Sequence, residues 1–178
     1  IVEAPKQSKL YGLSLTAGFF NGIGLTIPPE NLFDNDSKKD FIGRLAYYKT
    51  TKNEKYKYGI GVSHYNGYYR NATNAVFSNF ETNSNGNLGF VLSDTTNGQT
   101  FKGKYAKRLY YGLEGLVSAK TVLGTTTLRG EYVFGQQPGS ATSSKSPYKP
   151  TAGATYVRQF TGAYAFFIHR IMNSKHEI

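Results

Sequence analysis

Hydrophobic and polar positions alternate over six stretches of this chain, and a period of two predicts strands. Tyr11, Leu13, Leu15, Ala17 and Phe19 are set against Gly12, Ser14, Thr16 and Gly18. Phe41, Gly43, Leu45 and Tyr47 oppose Ile42, Arg44, Ala46 and Tyr48. Tyr56, Tyr58, Ile60 and Val62 oppose Lys57, Gly59, Gly61 and Ser63. Leu109, Tyr111, Leu113, Gly115 and Val117 oppose Arg108, Tyr110, Gly112, Glu114 and Ser118. In TLRGEYVFGQQPG, residues 127–139, Leu128, Gly130, Tyr132 and Phe134 oppose Arg129, Glu131 and Val133. Phe160, Gly162, Tyr164, Phe166 and Ile168 oppose Thr161, Ala163, Ala165, Phe167 and His169. Each stretch covers about 9–11 residues, the length a tilted strand needs to cross a bilayer. Soluble strands average nearer about 5–6 residues.

A strand with one apolar and one charged face suits two settings. In a soluble sandwich the apolar face meets the core and the charged face meets water. In a membrane barrel the apolar face meets lipid and the charged face lines a wet lumen. The connections separate the two. Long segments at about 22–39, 67–103 and 136–155 alternate with short ones at TTKNE (50–54), TVLG (121–124) and NSK (173–175). Long loops at one end and tight turns at the other are the wiring of an outer-membrane barrel. The fold class expected is therefore all-β, a transmembrane antiparallel up-and-down β-barrel, with residues 1–178 forming part of a single barrel domain.

Composition agrees with a strand protein and narrows the partners. Of 178 residues, 39% are hydrophobic, low for a packed soluble core, and no run reaches the roughly 18 apolar residues of a membrane helix. Glycine is frequent (20), and Tyr (15) and Phe (12) supply every aromatic ring. Such rings suit membrane interfaces and also glycan-binding surfaces. The net charge of +10 arises from scattered Lys and Arg with no run of five like charges, which argues against nucleic acid. Cysteine is absent, so neither a disulfide framework nor thiol chemistry is expected.

Within the barrel reading, alternation places Tyr47, Tyr56, Tyr58, Tyr111, Tyr132, Phe134, Tyr164 and Phe166 on the lipid face as girdle rings. By the same parity, charges on that face stand only near its ends, at Arg158 and Arg170. Six strands fall short of the roughly eight of the smallest membrane barrels. The chain therefore reads as a consecutive piece of a larger barrel, with His176–Ile178 opening a seventh strand.

KDFIGRLAY (39–47), GIGVSHYNG (59–67), LRGEYVFGQQPG (128–139), FTGAYAFFIHRI (160–171) and LTAGFFNGIG (15–24) resemble the phosphate-selective porin O and P family. The likeness touches nearly every strand and rests on the order and spacing of the segments. It implies a sixteen-stranded outer-membrane barrel, a homotrimer, and passage of small anions without cofactor or energy. A further strand with a Lys-Tyr-Asp motif would follow His176. The arginine ladder and lysine cluster that line the pores of such porins are not found here, so general porin activity is what carries over.

The expected lumen set is Arg44, Lys57, Arg108, Glu114, Lys120, Arg129, Glu131 and His169. Five cations against two carboxylates bias such a lining toward anions. Alternatively, these charges pair across strands and stiffen the wall. Folding about a turn near Thr121 and Val122 sets Glu114 opposite Arg129. A shift of one residue on each strand would set it opposite Glu131, which is unfavourable. Other motifs carry less. GIGVSH (59–64) lacks the third glycine of a dinucleotide loop. DND (34–36) is a candidate hard-cation loop, though Lys38 and Lys39 follow it. Asn71-Ala72-Thr73 matches a glycosylation acceptor. His64, His169 and His176 lack metal-ligand spacing, and no metal, cofactor or catalytic constellation is expected. The function expected is passive diffusion of small hydrophilic solutes across a bacterial outer membrane. The rivals are a soluble or surface glycan-binding β module and a structural barrel with no open pore.

Overall fold

The computed structural model describes residues 1–6, 8, 10–22, 38–82, 84–93, 100–145 and 153–171. The DND motif, NSK (173–175), His176–Ile178, most of the first long connection, and parts of the other two lie outside the described residues. Nine strands form one sheet, and no helix occurs among the described residues. They are β1 (Val2–Glu3), β2 (Leu13–Asn21), β3 (Lys39–Thr50), β4 (Tyr56–Arg70), β5 (Val76–Thr82), β6 (Leu88–Leu92), β7 (Tyr105–Thr121), β8 (Gly124–Gly139) and β9 (Thr155–Ile171). Their order is β1-β2-β3-β4-β7-β8-β9-β5-β6, and the sheet does not close on itself.

The six expected strands are β2, β3, β4, β7, β8 and β9, each antiparallel to its neighbour. Five of them run longer than expected, up to 17 residues in β7 and β9. Because this meander is antiparallel throughout, the three long connections leave one end and the short turns the other. The β7–β8 turn has only Val122 and Leu123 between Thr121 and Gly124, and both are exposed. Gly124 closes it at φ 136°, a conformation that favours glycine.

The second long connection is not a simple loop, since it contains the β5–β6 hairpin. Val76 and Phe77 pair in parallel with Thr155 and Tyr156, so the chain passes the ends of β7 and β8 to reach β9. A small core fixes this crossing: Val76, Ala106 and Val157 pack together with Phe101. The Asn74 side chain accepts from Thr100 Oγ1 (2.8 Å), Phe101 N (3.0 Å) and Lys102 N (2.8 Å), which shapes the return into β7. Asn71, the expected glycosylation acceptor, is buried where its backbone pairs with Gly103 and Lys104, so its side chain is not presented to a modifying enzyme.

The sheet has two unlike faces and no second layer among the described residues. One carries Leu15, Leu45, Ile60, Val62, Leu113, Val117, Leu128 and Phe167, all exposed. Charges on that face stand only near strand ends, at Lys39, Lys49, Arg70 and Lys107. The other face carries the charges of the strand middles, Arg44, Glu114, Arg129 and Glu131 among them. Beyond Tyr156, β9 has no strand partner on its outer edge among the described residues.

Candidate functional site

Cross-strand register gathers most of the expected charges onto one face. Arg44, Lys57, Arg108, Glu114, Lys120, Arg129 and Glu131 share it, and Tyr47, Tyr58, Tyr111, Tyr132 and Phe134 share the other. Five named residues of β9 depart from expectation. Tyr164 pairs with Glu131 and Phe166 with Arg129, so both rings lie on the charged face and not on the girdle face. His169 pairs with Thr126 on the apolar face, where its Nδ1 lies 2.8 Å from Thr126 Oγ1, so it does not join the charges. Arg158 and Arg170 move with the reversed parity to the charged face. The segment FTGAYAFFI (160–168) is apolar at both parities, so alternation alone could not orient it; pairing with β8 does.

The expected Glu114–Arg129 pairing is also corrected. Glu114 sits opposite Glu131, and Arg129 opposite Leu116. The turn centres between Val122 and Leu123, one residue on from where it was expected, and each carboxylate finds its partner elsewhere. Arg44 Nη2 on β3 donates to Glu114 Oε1 on β7, reaching across β4. Tyr48 accepts from Arg44 Nη2 at 2.8 Å and donates to the same Glu114 oxygen at 2.7 Å. On the far side, Tyr164 donates to Glu131 Oε2.

Glycines of β4 make the long reach possible. Gly61 lies between Ala46 and Glu114 in the row across the sheet. A Cβ on Gly61 would come within 2.5 Å of Glu114 Oε1, and one on Gly59 would collide with the Tyr48 ring. The bare backbone is thus a trough in which Tyr48 and Glu114 lie.

The same device recurs toward the long-loop end. Asp40 on β3, Gly67 on β4 and Arg108 on β7 form one row. Asp40 is 2% exposed. It accepts from Tyr65 OH and from Tyr68 N (3.2 Å), and Arg108 Nη2 stands 3.7 Å from its Oδ2. Arg108 also donates to the carbonyls of Gly22 (3.2 Å) and Tyr68. A Cβ on Gly67 would come within 2.7 Å of Asp40 Oδ2. Beside this pair, Tyr65 stacks on Tyr110 at 4.8 Å, and Tyr110 OH donates to Gln137 Oε1 at 2.8 Å.

Three cation placements remain. Lys57 Nζ stands 5.6 Å over the Tyr48 ring. Lys57 and Arg129 form no ion pair among the described residues. Lys120 Nζ lies 3.8 Å from Glu54 Oε2 at the short-turn end, where both are exposed and the contact is worth little. The face therefore mixes two roles: Arg44 and Arg108 are tied to carboxylates, whereas Lys57 and Arg129 present charge to solvent. Asp40 and Tyr65 were missed as members of this face, although each has the parity of Arg44 or of the residue paired with it, and Tyr48, which alternation placed beside Arg44, was not counted among the site residues.

The apolar face carries a transverse row of rings: Phe19, Phe41, His64, Tyr111 and Phe134, on five successive strands of the sheet. Neighbouring centroids lie 5.4, 6.3, 4.7 and 5.4 Å apart. Nearer the short-turn end the same face carries Tyr47, Tyr56 and Tyr58. The chain matches no protein-family model, no curated protein and no solved structure.

Proposed function

We propose that this chain is a sector of an outer-membrane porin, whose lumen is lined by the charged face and whose lipid surface is the apolar face. The observation that carries the reading is the apolar face itself. Leu15, Ile60, Val62, Leu113, Val117 and Leu128 are exposed together across the sheet, with no layer over them among the described residues. Continuous apolar surface of this extent marks contact with a partner or a membrane. Two further features favour lipid. The middle of that face holds no charge, and aromatic rings flank it toward both ends, as at the two interfaces of a bilayer.

Transport would be passive diffusion of small hydrophilic solutes. Lys57 and Arg129, which form no ion pair among the described residues, would bias the lumen toward anions. The bias is weaker than residue counts suggest, because Arg44 and Arg108 are engaged with Glu114 and Asp40. The β5–β6 hairpin would narrow the mouth at the long-loop end. Phe77 stacks on Tyr156 at 4.6 Å and Phe90 meets it edge-on at 5.2 Å, and Tyr156 has the parity of the charged face. The phosphate preference implied by the family resemblance would then rest on Lys57 and Arg129, not on a ladder of arginines.

The test is the reversal potential of the protein in a planar lipid bilayer under a KCl gradient. Stepwise conductance with a potential on the chloride side is expected. Conductance without selectivity would discard the anion bias and keep the pore. Absence of conductance from folded protein would leave a structural barrel or a surface binding module in its place.

A further inference from the structure

The reversed parity of β9 creates something that the alternation pattern hides. Phe160, Tyr164 and Phe166 lie in line along β9 on the charged face, with Tyr156 at the long-loop end of the same line. Phe166 is 54% exposed and Tyr164 44%. Their rings meet edge to face with centroids 5.4 Å apart. Between Phe160 and Tyr164 stands Gly162, where an added Cβ would meet nothing within 4 Å. The result is a bare stretch of backbone bounded by rings. Beside the track, Glu131 faces Tyr164 and Arg129 faces Phe166.

Aromatic rings on a wet face call for a ligand that is at once apolar and polar. The exposed rings here stand beside a carboxylate and a guanidinium. Tyr164 OH occupies one acceptor position of Glu131, which fixes the carboxylate and leaves further lone pairs for outside donors. Arg129 adds a fork of donors in a fixed plane. Pyranose rings match this pattern. Their axial C–H groups form an apolar face that stacks on an aromatic ring, and their equatorial hydroxyls point sideways as paired donors and acceptors. A small anion would use Arg129 but leave the rings of Tyr164 and Phe166 without a role. A lipid chain does not match it either, because the track shares its face with the ionised groups.

We infer that the β9 track is a carbohydrate-binding path, with Tyr164 and Phe166 as stacking platforms and Glu131 and Arg129 as the hydroxyl-binding pair. The transport consequence, guided passage of linear oligosaccharides, rests on the porin reading. The binding itself rests on the geometry of β8 and β9 alone.

Two measurements on the same protein separate these. The first is titration calorimetry with maltohexaose on the detergent-solubilised protein, beside the Tyr164→Ala, Phe166→Ala double variant. Both side chains are exposed and neither packs in the small core, so folding of the variant is checked simply by its β-sheet circular dichroism. Saturable binding weakened about tenfold or more in the folded variant is expected, the order of one stacking contact per ring. The second is block of single-channel current by maltohexaose, compared with a polyethylene glycol of equal hydrodynamic size. Concentration-dependent block by the sugar alone, relieved in the variant, supports guided passage. Binding in the calorimeter without conductance in the bilayer would keep the carbohydrate site and remove the porin. Conductance with no calorimetric binding, or binding unchanged in the variant, would overturn the carbohydrate path and leave the porin standing.

Discussion

Arg44 on β3 and Glu114 on β7 meet across an intervening strand, because Gly61 on β4 leaves room for the carboxylate to lie over the backbone. Side chains on adjacent strands are the usual unit of sheet stabilisation. Here the pair spans two strand spacings, and the glycine between them is the enabling residue. Gly61→Val should therefore destabilise the sheet by about 1–3 kcal/mol, the cost of forcing a side chain into occupied space. Gly115→Ala is the control, because an added Cβ there meets nothing within 4 Å. It should stay within about 0.5 kcal/mol of the parent. Urea unfolding of both variants in detergent micelles reads the difference, and equal midpoints would mean that Gly61 plays no such part.

The Asp40–Arg108 row makes the same argument in a buried setting. Asp40→Ala leaves the largely buried Arg108 without its carboxylate, at a cost of about 3–5 kcal/mol for a fully buried pair and somewhat less here. Removing both charges, as in Asp40→Ala with Arg108→Leu, should recover a large part of that loss. A double-mutant cycle from unfolding midpoints measures it. Strict additivity of the two single changes would show that the two side chains do not act on one another.

Under the porin reading, the charge of this face is the third consequence. Glu114→Gln removes a negative charge and loosens the hold on Arg44, so chloride preference should rise by a factor of a few in permeability ratio. Arg44→Glu should move it the other way. The reversal potential under a KCl gradient reports both. No shift in either variant would place Arg44 and Glu114 away from the conducting path.

How far the fold was legible depended on which strands advertise their faces. β3, β4, β7 and β8 carry charges at one parity and rings or aliphatics at the other, so Arg44, Lys57, Glu114 and Arg129 could be grouped from the pattern alone. β9 could not be read this way, since Phe166 and Phe167 are neighbours of opposite parity and equal hydrophobicity. Its orientation comes from pairing with β8, a long-range fact. The β7–β8 register was off by one residue on each strand because like charges at 114 and 131 look unfavourable when only that pair is considered. The cost is relieved by Arg44, Tyr48 and Tyr164, which stand on other strands. β5 and β6 were taken as loop because their short alternation is interrupted by Asn and Ser. Their place in the sheet depends on contacts with Tyr156 and Val157 far along the chain.

Leu113 and Phe166 offer the sharpest distinction between lipid and water. Both are exposed, at 51% and 54%, and they lie on opposite faces of the sheet. In a water-soluble sheet, arginine at either position would leave stability within about 0.5 kcal/mol, because neither side chain is buried. In a bilayer the two positions differ. Arginine at 113 would sit on the lipid face among Val62 and Tyr132, at a cost of about 2–4 kcal/mol near the bilayer midplane. Arginine at 166 would face the wet lumen, opposite Arg129 and diagonal to Glu131, and would cost at most the roughly 1 kcal/mol of a like-charge cross-strand pair. Leu113→Arg should therefore lower folding yield into phosphatidylcholine vesicles, while Phe166→Arg folds like the parent. Equal yields would remove lipid from the apolar face and favour a protein partner there. A loss confined to Phe166→Arg would reverse the assignment of the two faces.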